Sequence, residues 1–270
     1  HRQPKPAHAE LVEARTARDP CLDTLGMSGA RDAPSRRQLL TAVPASLMLA
    51  GCDALTRNPT ARAVIQSGEQ ATYRWQRLVG RDGLAREFSA ADISPVFKVN
   101  GTREPTNPEW KALSAAGFTD WRLQVTGLVQ RELALTLPQL RALPQRTQIT
   151  RHDCVEGWSA IGQWTGPQLA HILKAAGLRD GARYIVFLCA DDYGGEASKG
   201  GLQSTSRYYE SIDLVDAFHP QTILAHSLNG APLSTGNGAP VRLRVERQLG
   251  YKQAKYLMRI VVADSLAAFG

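Results

Sequence analysis

At 270 residues, 43% of them hydrophobic and 21% charged, the chain is long enough to bury a full core and too apolar to stay disordered. Its net charge of +7 is a mild basic bias that suits an anionic cofactor or substrate. It has no Lys/Arg-rich run, zinc-finger spacing or aromatic RNA-binding motif, which excludes nucleic acid as the expected partner. The four cysteines, Cys21, Cys52, Cys154 and Cys189, form no C-x-x-C and no C-x-x-C-H, so no structural zinc, dithiol redox motif or covalent haem is expected.

Residues 1–26 begin with His1 and carry no useful pattern, whereas Met27 stands where an export signal of ordinary length would start. Residues 1–26 are therefore expected to lie outside the working protein. Arg36-Arg37 precede an apolar run, Leu39 to Ala50, which is too short to span a membrane but is laid out like an export signal. Ser35-Arg36-Arg37-Gln38-Leu39-Leu40 resembles a twin-arginine signal, and Leu49-Ala50-Gly51-Cys52 resembles a bacterial lipobox whose cysteine becomes the lipidated first residue. The alternative, a buried amphipathic helix, is interrupted by Pro44. Residues 27–51 are thus read as signal. The expected location is periplasmic or cell-envelope, with attachment through lipid on Cys52. Residues 52–88, polar and with a short helical stretch after Asn58-Pro59, are read as a tether to a body spanning 89–270.

Within the body, Trp121 to Thr126 and Leu133 to Leu137 alternate apolar and polar, as half-buried strands do. Thr136-Leu137-Pro138-Gln139-Leu140 reads as a helix start. Thr147 to Arg151 is strand-like and runs into Cys154. Pro167 is expected in the first turn of a helix whose apolar face is Leu169, Ile172, Leu173 and Ala176, capped by Gly177. Tyr184 to Cys189 reads as a buried strand, and Ile212, Leu214 and Val215 begin a short helix. Thr222 to Ser227 and Val241 to Val245 read as strands, with Asn229-Gly230 as a hairpin turn, and Arg259 to Ala263 closes a sheet. The expected class is α+β, with more strands than helices.

Three segments carry candidate chemistry. In Arg151-His152-Asp153-Cys154-Val155-Glu156-Gly157-Trp158-Ser159, Cys154 sits among polar groups, and the neighbouring Arg151 and His152 favour thiolate, a soft ligand for a redox metal. A small buried apolar residue is the alternative at that position. Gly236 and Gly238 around Asn237 offer backbone amides to a phosphate, and Arg242 offers paired hydrogen bonds. Lys252 and Lys255 flank a bend and also suit an anion. Each of these loops could equally be plain surface. His171 reads as structural, His219-Pro220 as a turn and His226 as a satisfied core residue. Tyr208 and Tyr209 precede a helix, and one of them can face a substrate or simply pack.

Taken together, C-V-E-G-W-S at 154–159, His219-Pro220, N-G-A-P-V-R at 237–242 and G-Y-K-x-x-K at 250–255 resemble the molybdopterin-binding domain of the sulfite-oxidase superfamily. The nearest branch is the bacterial periplasmic one that includes the protein methionine-sulfoxide reductase catalytic subunit. The resemblance runs from about residue 94 to 264. It implies a sulfite-oxidase-like molybdopterin-binding fold of mixed sheets with short helices, and a Mo-molybdopterin cofactor whose metal takes the sulfur of Cys154. It also implies that Asn237 and Arg242 hold the pterin and its phosphate, and that Lys255, with Gln253, Ala254 and Lys252 beside it, completes the phosphate cradle. Phe97 and Lys98 stand where the branch has an aromatic–acidic pair near the pterin, and Lys98 departs from it. Cys189 stands where the branch has a threonine at the cofactor. No immunoglobulin-like or haem domain is expected.

The activity so implied is oxygen-atom transfer to or from a sulfoxide or oxyanion, small or protein-bound, with Cys154, His152 and Tyr208 at the reacting centre. A separate electron-transfer partner is expected, a membrane haem protein being one candidate. The rival readings are a non-catalytic exported lipoprotein that keeps the fold, and a cysteine-nucleophile enzyme built on Cys154 and His152.

Overall fold

The computed structural model describes residues 58–191 and 207–269. The expectations for residues 1–26, the signal and Cys52 lie outside these residues. The chain divides into two compact units, His1–Tyr73 and Arg74–Gly270, and helix α1 (Pro59–Gly80) runs across the division. Proline at its first position and the Asn58 side chain, which accepts from the amides of Thr60 and Ala61, start α1. Most of the expected tether is therefore a 22-residue helix with no buried residue. No helix among the described residues is long and apolar enough to cross a membrane.

The second unit begins with the end of α1. There Arg77 grips Asp216 through two hydrogen bonds of 3.0 and 2.9 Å and also reaches Asp213 at 3.0 Å. Ala85 and Gln221 exchange hydrogen bonds, and the amide of Phe88 donates to the Ile149 carbonyl. The chain is thus hydrogen-bonded to the body from Arg77 onward, ahead of residue 89.

Helix α2 (Pro108–Ala115) is capped by Asn107. Strands β1 (Arg122–Gly127) and β2 (Leu133–Thr136) follow, then α3 (Leu137–Ala142), whose start is a capping box between Thr136 and Gln139. Next come β3 (Gln145–Cys154), β4 (Trp158–Pro167), α4 (Leu169–Ala176) and β5 (Tyr184–Cys189). After them lie β6 (Tyr209–Asp213), α5 (Leu214–Ala217), β7 (Thr222–Ala225), β8 (Ser227–Leu228), β9 (Ala231–Pro232), β10 (Arg242–Val245) and β11 (Leu257–Ala263). Three sheets result: β2-β1-β11-β5-β6, β10-β7 and β3-β4-β8-β9. The expected α+β class holds, as several sheets with short helices.

The main core lies against the five-stranded sheet. The apolar face of α4 (Leu169, Ile172, Leu173, Ala176) packs there with Trp110, Trp121, Phe187 and Ile260. A smaller cluster around Trp164 joins the other two sheets. Gly166 permits their close approach, because a Cβ there would meet the Leu224 carbonyl oxygen at 2.1 Å. Three local expectations change. Ile212 lies in β6, and the short helix starts only at Leu214, capped by Asp213. Pro167 ends β4 rather than entering α4, whose N-cap is Gln168. Asn229 and Gly230, both at positive φ, turn β8 into β9 rather than linking the longer strands.

Candidate functional site

Strand β3 pairs with β4 along its whole length, from Gln145–Pro167 to Cys154–Trp158, and delivers Cys154 to a tight turn at its end. Gly157, at φ 83°, makes that turn, and its amide donates to the Cys154 carbonyl. Side chains two apart share a face of a strand, so His152 and Cys154 point to one side and Asp153 to the other. Asp153 accepts from Ser159 Oγ at 2.5 Å, outside the site. Glu156 reaches back across the turn. One oxygen accepts from the Gly101 amide and the other from Trp158 Nε1, which holds its carboxyl below the usual range. This ties the segment 100–102 to the cysteine turn.

These contacts frame a cavity of about 310 Å³. Cys154, Val155 and Glu156 form one wall, Asn100, Gly101 and Thr102 a second, Gln253, Ala254 and Lys255 a third, and Asp191, Tyr208 and Tyr251 complete it. The Lys255 ammonium donates to the carbonyls of Asn100 (2.6 Å), Thr102 and Gly236 (3.0 Å). Arg242, fully buried, donates to the carbonyls of Asn237 (3.1 Å) and Gln253 (3.0 Å) and lies 5.0 Å above the Trp164 ring. The expected free fork of Arg242 is therefore already engaged. Its two terminal nitrogens pin the two loops together, and its Nε has no partner among the described residues. Gly238, at φ 102°, makes room for both cations, since a Cβ there would sit 2.9 Å from Lys255 Cβ and 3.3 Å from Arg242 Cβ.

Among the described residues neither cation has a carboxylate within salt-bridge distance; their partners are carbonyls. Burial, then Arg244, push Arg242 down to about 9; burial, then Arg242, push Lys255 down to about 8. Carboxylates stand nearby, Glu156 and Asp191 for Lys255 and Glu246 for Arg242, but not in contact, and two buried positive charges so weakly compensated suit an anion. Asn100 Oδ1, Asn237 Oδ1, His152 Nε2 and Arg242 Nε are buried without hydrogen-bond partners among the described residues, so polar edges are also available. The donor set fits a ligand with an anionic end, a polar ring and a soft metal, as a metal-bearing pterin has. No group of three or more His, Cys, Asp or Glu side chains that could hold a metal occurs among the described residues, and the cavity wall offers one thiol.

The other expected residues divide. Phe97 packs at the site, 5.9 Å from the His152 ring and 5.1 Å from Trp164. Gln253 is buried, its side chain bonded both ways to the Val245 backbone. Tyr208 lines the cavity and donates to Glu210 Oε1 at 3.0 Å. Lys252 is turned away to Glu210 at 2.9 Å and to the Ser211 carbonyl. Lys98 is exposed. Cys189 is in the main core and off the cavity wall, with burial pushing its thiol well up. His226 is satisfied by Ser227 and Gln145 as expected. No hydrogen bond joins Cys154 to His152 among the described residues. Burial, then Arg244, Arg242 and Lys255, push His152 down to about 2, which removes the base that a cysteine nucleophile would need. Sequence reasoning missed Asn100, Thr102, Asp191, Tyr251 and Arg244. The run Arg242-Leu243-Arg244-Val245-Glu246, with charge at every second position of a buried strand, was the available signal for Arg244.

The oxidoreductase molybdopterin-binding domain matches residues 111–267 of the chain. YedZ1 of Azospira oryzae, named as a protein-methionine-sulfoxide reductase subunit, is 43% identical over 185 residues, 66% of this chain and 64% of that protein. The protein-methionine-sulfoxide reductase catalytic subunit MsrP of Xanthomonas campestris pv. campestris is 29% identical over 244 residues, 87% of this chain and 71% of that protein. The sulfane dehydrogenase SoxCD of Paracoccus pantotrophus superposes with a TM-score of 0.47 at 21% identity, over 54% of this chain and 39% of that one. The chain thus spans a little under two thirds of the YedZ1 relative.

Proposed function

The chain belongs to the family of oxidoreductases with a molybdopterin-binding domain, and from that premise we propose that its cavity takes a Mo-molybdopterin and that the protein reduces sulfoxides, methionine sulfoxide foremost. The observation that carries the cofactor is one thiol, Cys154, facing a cavity backed by two buried cations that have no carboxylate in contact among the described residues. Cys154 gives the metal its sulfur ligand. Arg242 Nε and Lys255 supply positive charge for the phosphate, and Asn100, Asn237 and His152 supply hydrogen bonds for the ring edges. When bound, the cofactor supplies two-electron redox chemistry with transfer of one oxygen atom.

The substrate reading rests on the names of the two relatives. Reduction of a sulfoxide takes two electrons and two protons and releases sulfide and water. The electrons come from a separate carrier, for which a membrane haem protein is a candidate. Tyr208, at the cavity wall, holds a proton next to the substrate space. Glu210, bonded to Tyr208 and ion-paired with Lys252, links that hydroxyl toward solvent. The arginine pair and lipobox in the sequence support export by the twin-arginine route and lipid attachment at Cys52. Mass spectrometry of the mature N-terminus tests this, and an unmodified first residue other than Cys52 would refute it.

The decisive experiment purifies the protein from a host that makes molybdopterin, counts molybdenum and pterin per chain, and assays oxidation of a reduced viologen dye. One molybdenum per chain and methionine-sulfoxide-dependent dye oxidation are expected. Absence of molybdenum overturns the cofactor reading. A loaded protein that oxidises sulfite and ignores sulfoxides overturns the substrate reading.

A further inference from the structure

Behind the cavity lies a buried triad of which the function above uses only His152, leaving Arg244 and Glu246 unassigned. Arg244 is fully buried and forms a two-pronged pair with Glu246, Nε to Oε1 at 2.9 Å and a terminal nitrogen to Oε2 at 2.6 Å. Its other terminal nitrogen lies 3.1 Å from His152 Nδ1. Gln148 donates to Glu246 Oε1 at 2.9 Å, and the Arg244 guanidinium sits 4.4 Å above the Trp164 ring. Every element of this arrangement is enclosed.

A guanidinium has donors and no acceptor, so the bond to His152 has one possible direction: Nδ1 must accept, and therefore carries no proton. The single proton of the imidazole is then on Nε2. That atom is buried and has no partner among the described residues, on a side chain only 2% exposed. A buried N–H without an acceptor is costly, and native structures rarely leave one unless something else fills the need. His152 shares its strand face with Cys154, two residues on. Its ring is held between Phe97 (5.9 Å) and Trp158 (5.5 Å), so it has little freedom to turn away.

We propose that His152 is a hydrogen-bond donor, through Nε2–H, to an acceptor atom of the ligand seated beside Cys154, and that Arg244, locked by Glu246, is the positioning residue that makes it a donor. The ligand class is a polar heterocycle or oxo group with a lone pair facing β3. The inference rests on the proposed cofactor reading. Without the arginine, a neutral histidine is free to place its proton on Nδ1 and offer the ligand a lone pair instead. Acceptor would then face acceptor.

Long-range proton–nitrogen spectra of the oxidised, 15N-labelled holoprotein read the tautomer directly, with His152→Phe assigning the signal. The wild type is expected to show protonated Nε2 and bare Nδ1. Arg244→Lys, which keeps a donor, is expected to preserve this pattern. Arg244→Met combined with Glu246→Gln, which avoids stranding a buried carboxylate, is expected to shift it toward the other tautomer. Pterin loss after dilution should quicken roughly two- to tenfold in His152→Phe and in the double variant, the scale of one hydrogen bond. A wild-type His152 protonated on Nδ1 overturns the assignment of Arg244. A His152→Phe protein that keeps its pterin as long as the wild type overturns the donor role. A wild type that never carries pterin sinks the proposed function and the donor's ligand with it, and the tautomer measurement separates that failure from the other two.

Discussion

Replacing Arg242 by Met distinguishes a residue that stabilises the fold from one kept for an anion. In the cofactor-free protein the charge is a burden. Its fall from 12.5 to about 9 amounts to about 5 kcal/mol against the charged form at neutral pH. Met removes that burden and fills similar space over Trp164. It also strands the carbonyls of Asn237 and Gln253, at about 1–3 kcal/mol each. The two effects nearly cancel, so the cofactor-free variant should melt within about 2 kcal/mol of the wild type. Pterin binding should instead weaken roughly ten- to hundredfold, the scale of a lost charged hydrogen bond.

The same imbalance has a pH signature. Lys255 at about 8 and Arg242 at about 9 lie below their unfolded values. The folded protein therefore releases these protons first, and stability rises with pH once it approaches 8. From pH 7 to 9 the gain in the cofactor-free protein is about 1–2 kcal/mol, a few degrees in Tm. Above 9 the raised Cys189, and above 10 the raised Tyr256, act with the opposite sign and progressively offset the gain. Bound phosphate neutralises both cations and should flatten the slope. Thermal melts of both forms at constant ionic strength measure it. A cofactor-free protein that loses stability from pH 7 to 9, or an Arg242→Met protein with full pterin content and a collapsed fold, would refute the reasoning.

Cys154→Ser should leave the fold and part of the pterin in place while turnover and the sulfur-to-metal absorption band disappear, because oxygen is a harder donor than sulfur; visible spectra, pterin content and activity on one preparation check this. Gly238→Ala puts a methyl 2.9 Å from Lys255 Cβ at φ 102°, and should lower stability by about 1–3 kcal/mol with loss of pterin retention, read by urea unfolding. Replacing Arg36 and Arg37 together by Lys should hold the precursor in the cytoplasm, as cell fractionation would show.

The pieces of the site were readable along the chain because each is a local rule. Alternation made β3 legible up to Cys154, the capping box announced α3, and the glycines at 236, 238 and 250 marked loops that other groups approach closely. Which atoms those loops would bind was not local. Arg242 reads in sequence as a free fork, and only the meeting of Asn237 and Gln253 around it shows that the fork is taken. Cys189 and Lys252 look like site residues until the sheet order sends the first into the core and Glu210 draws the second away. Asn100, Thr102 and Asp191 reach the cavity from segments far from Cys154 in sequence, and no periodicity predicts that. The proton on His152 depends on Arg244, 92 residues away. The amino-acid order alone determined most of the elements, the family and the candidate thiol, because strand period, caps and short motifs are near-neighbour physics. The tertiary structure decided which cations remain weakly compensated and which nitrogen carries a proton, because charge balance and hydrogen-bond direction are set by whatever packing brings within about 3 Å.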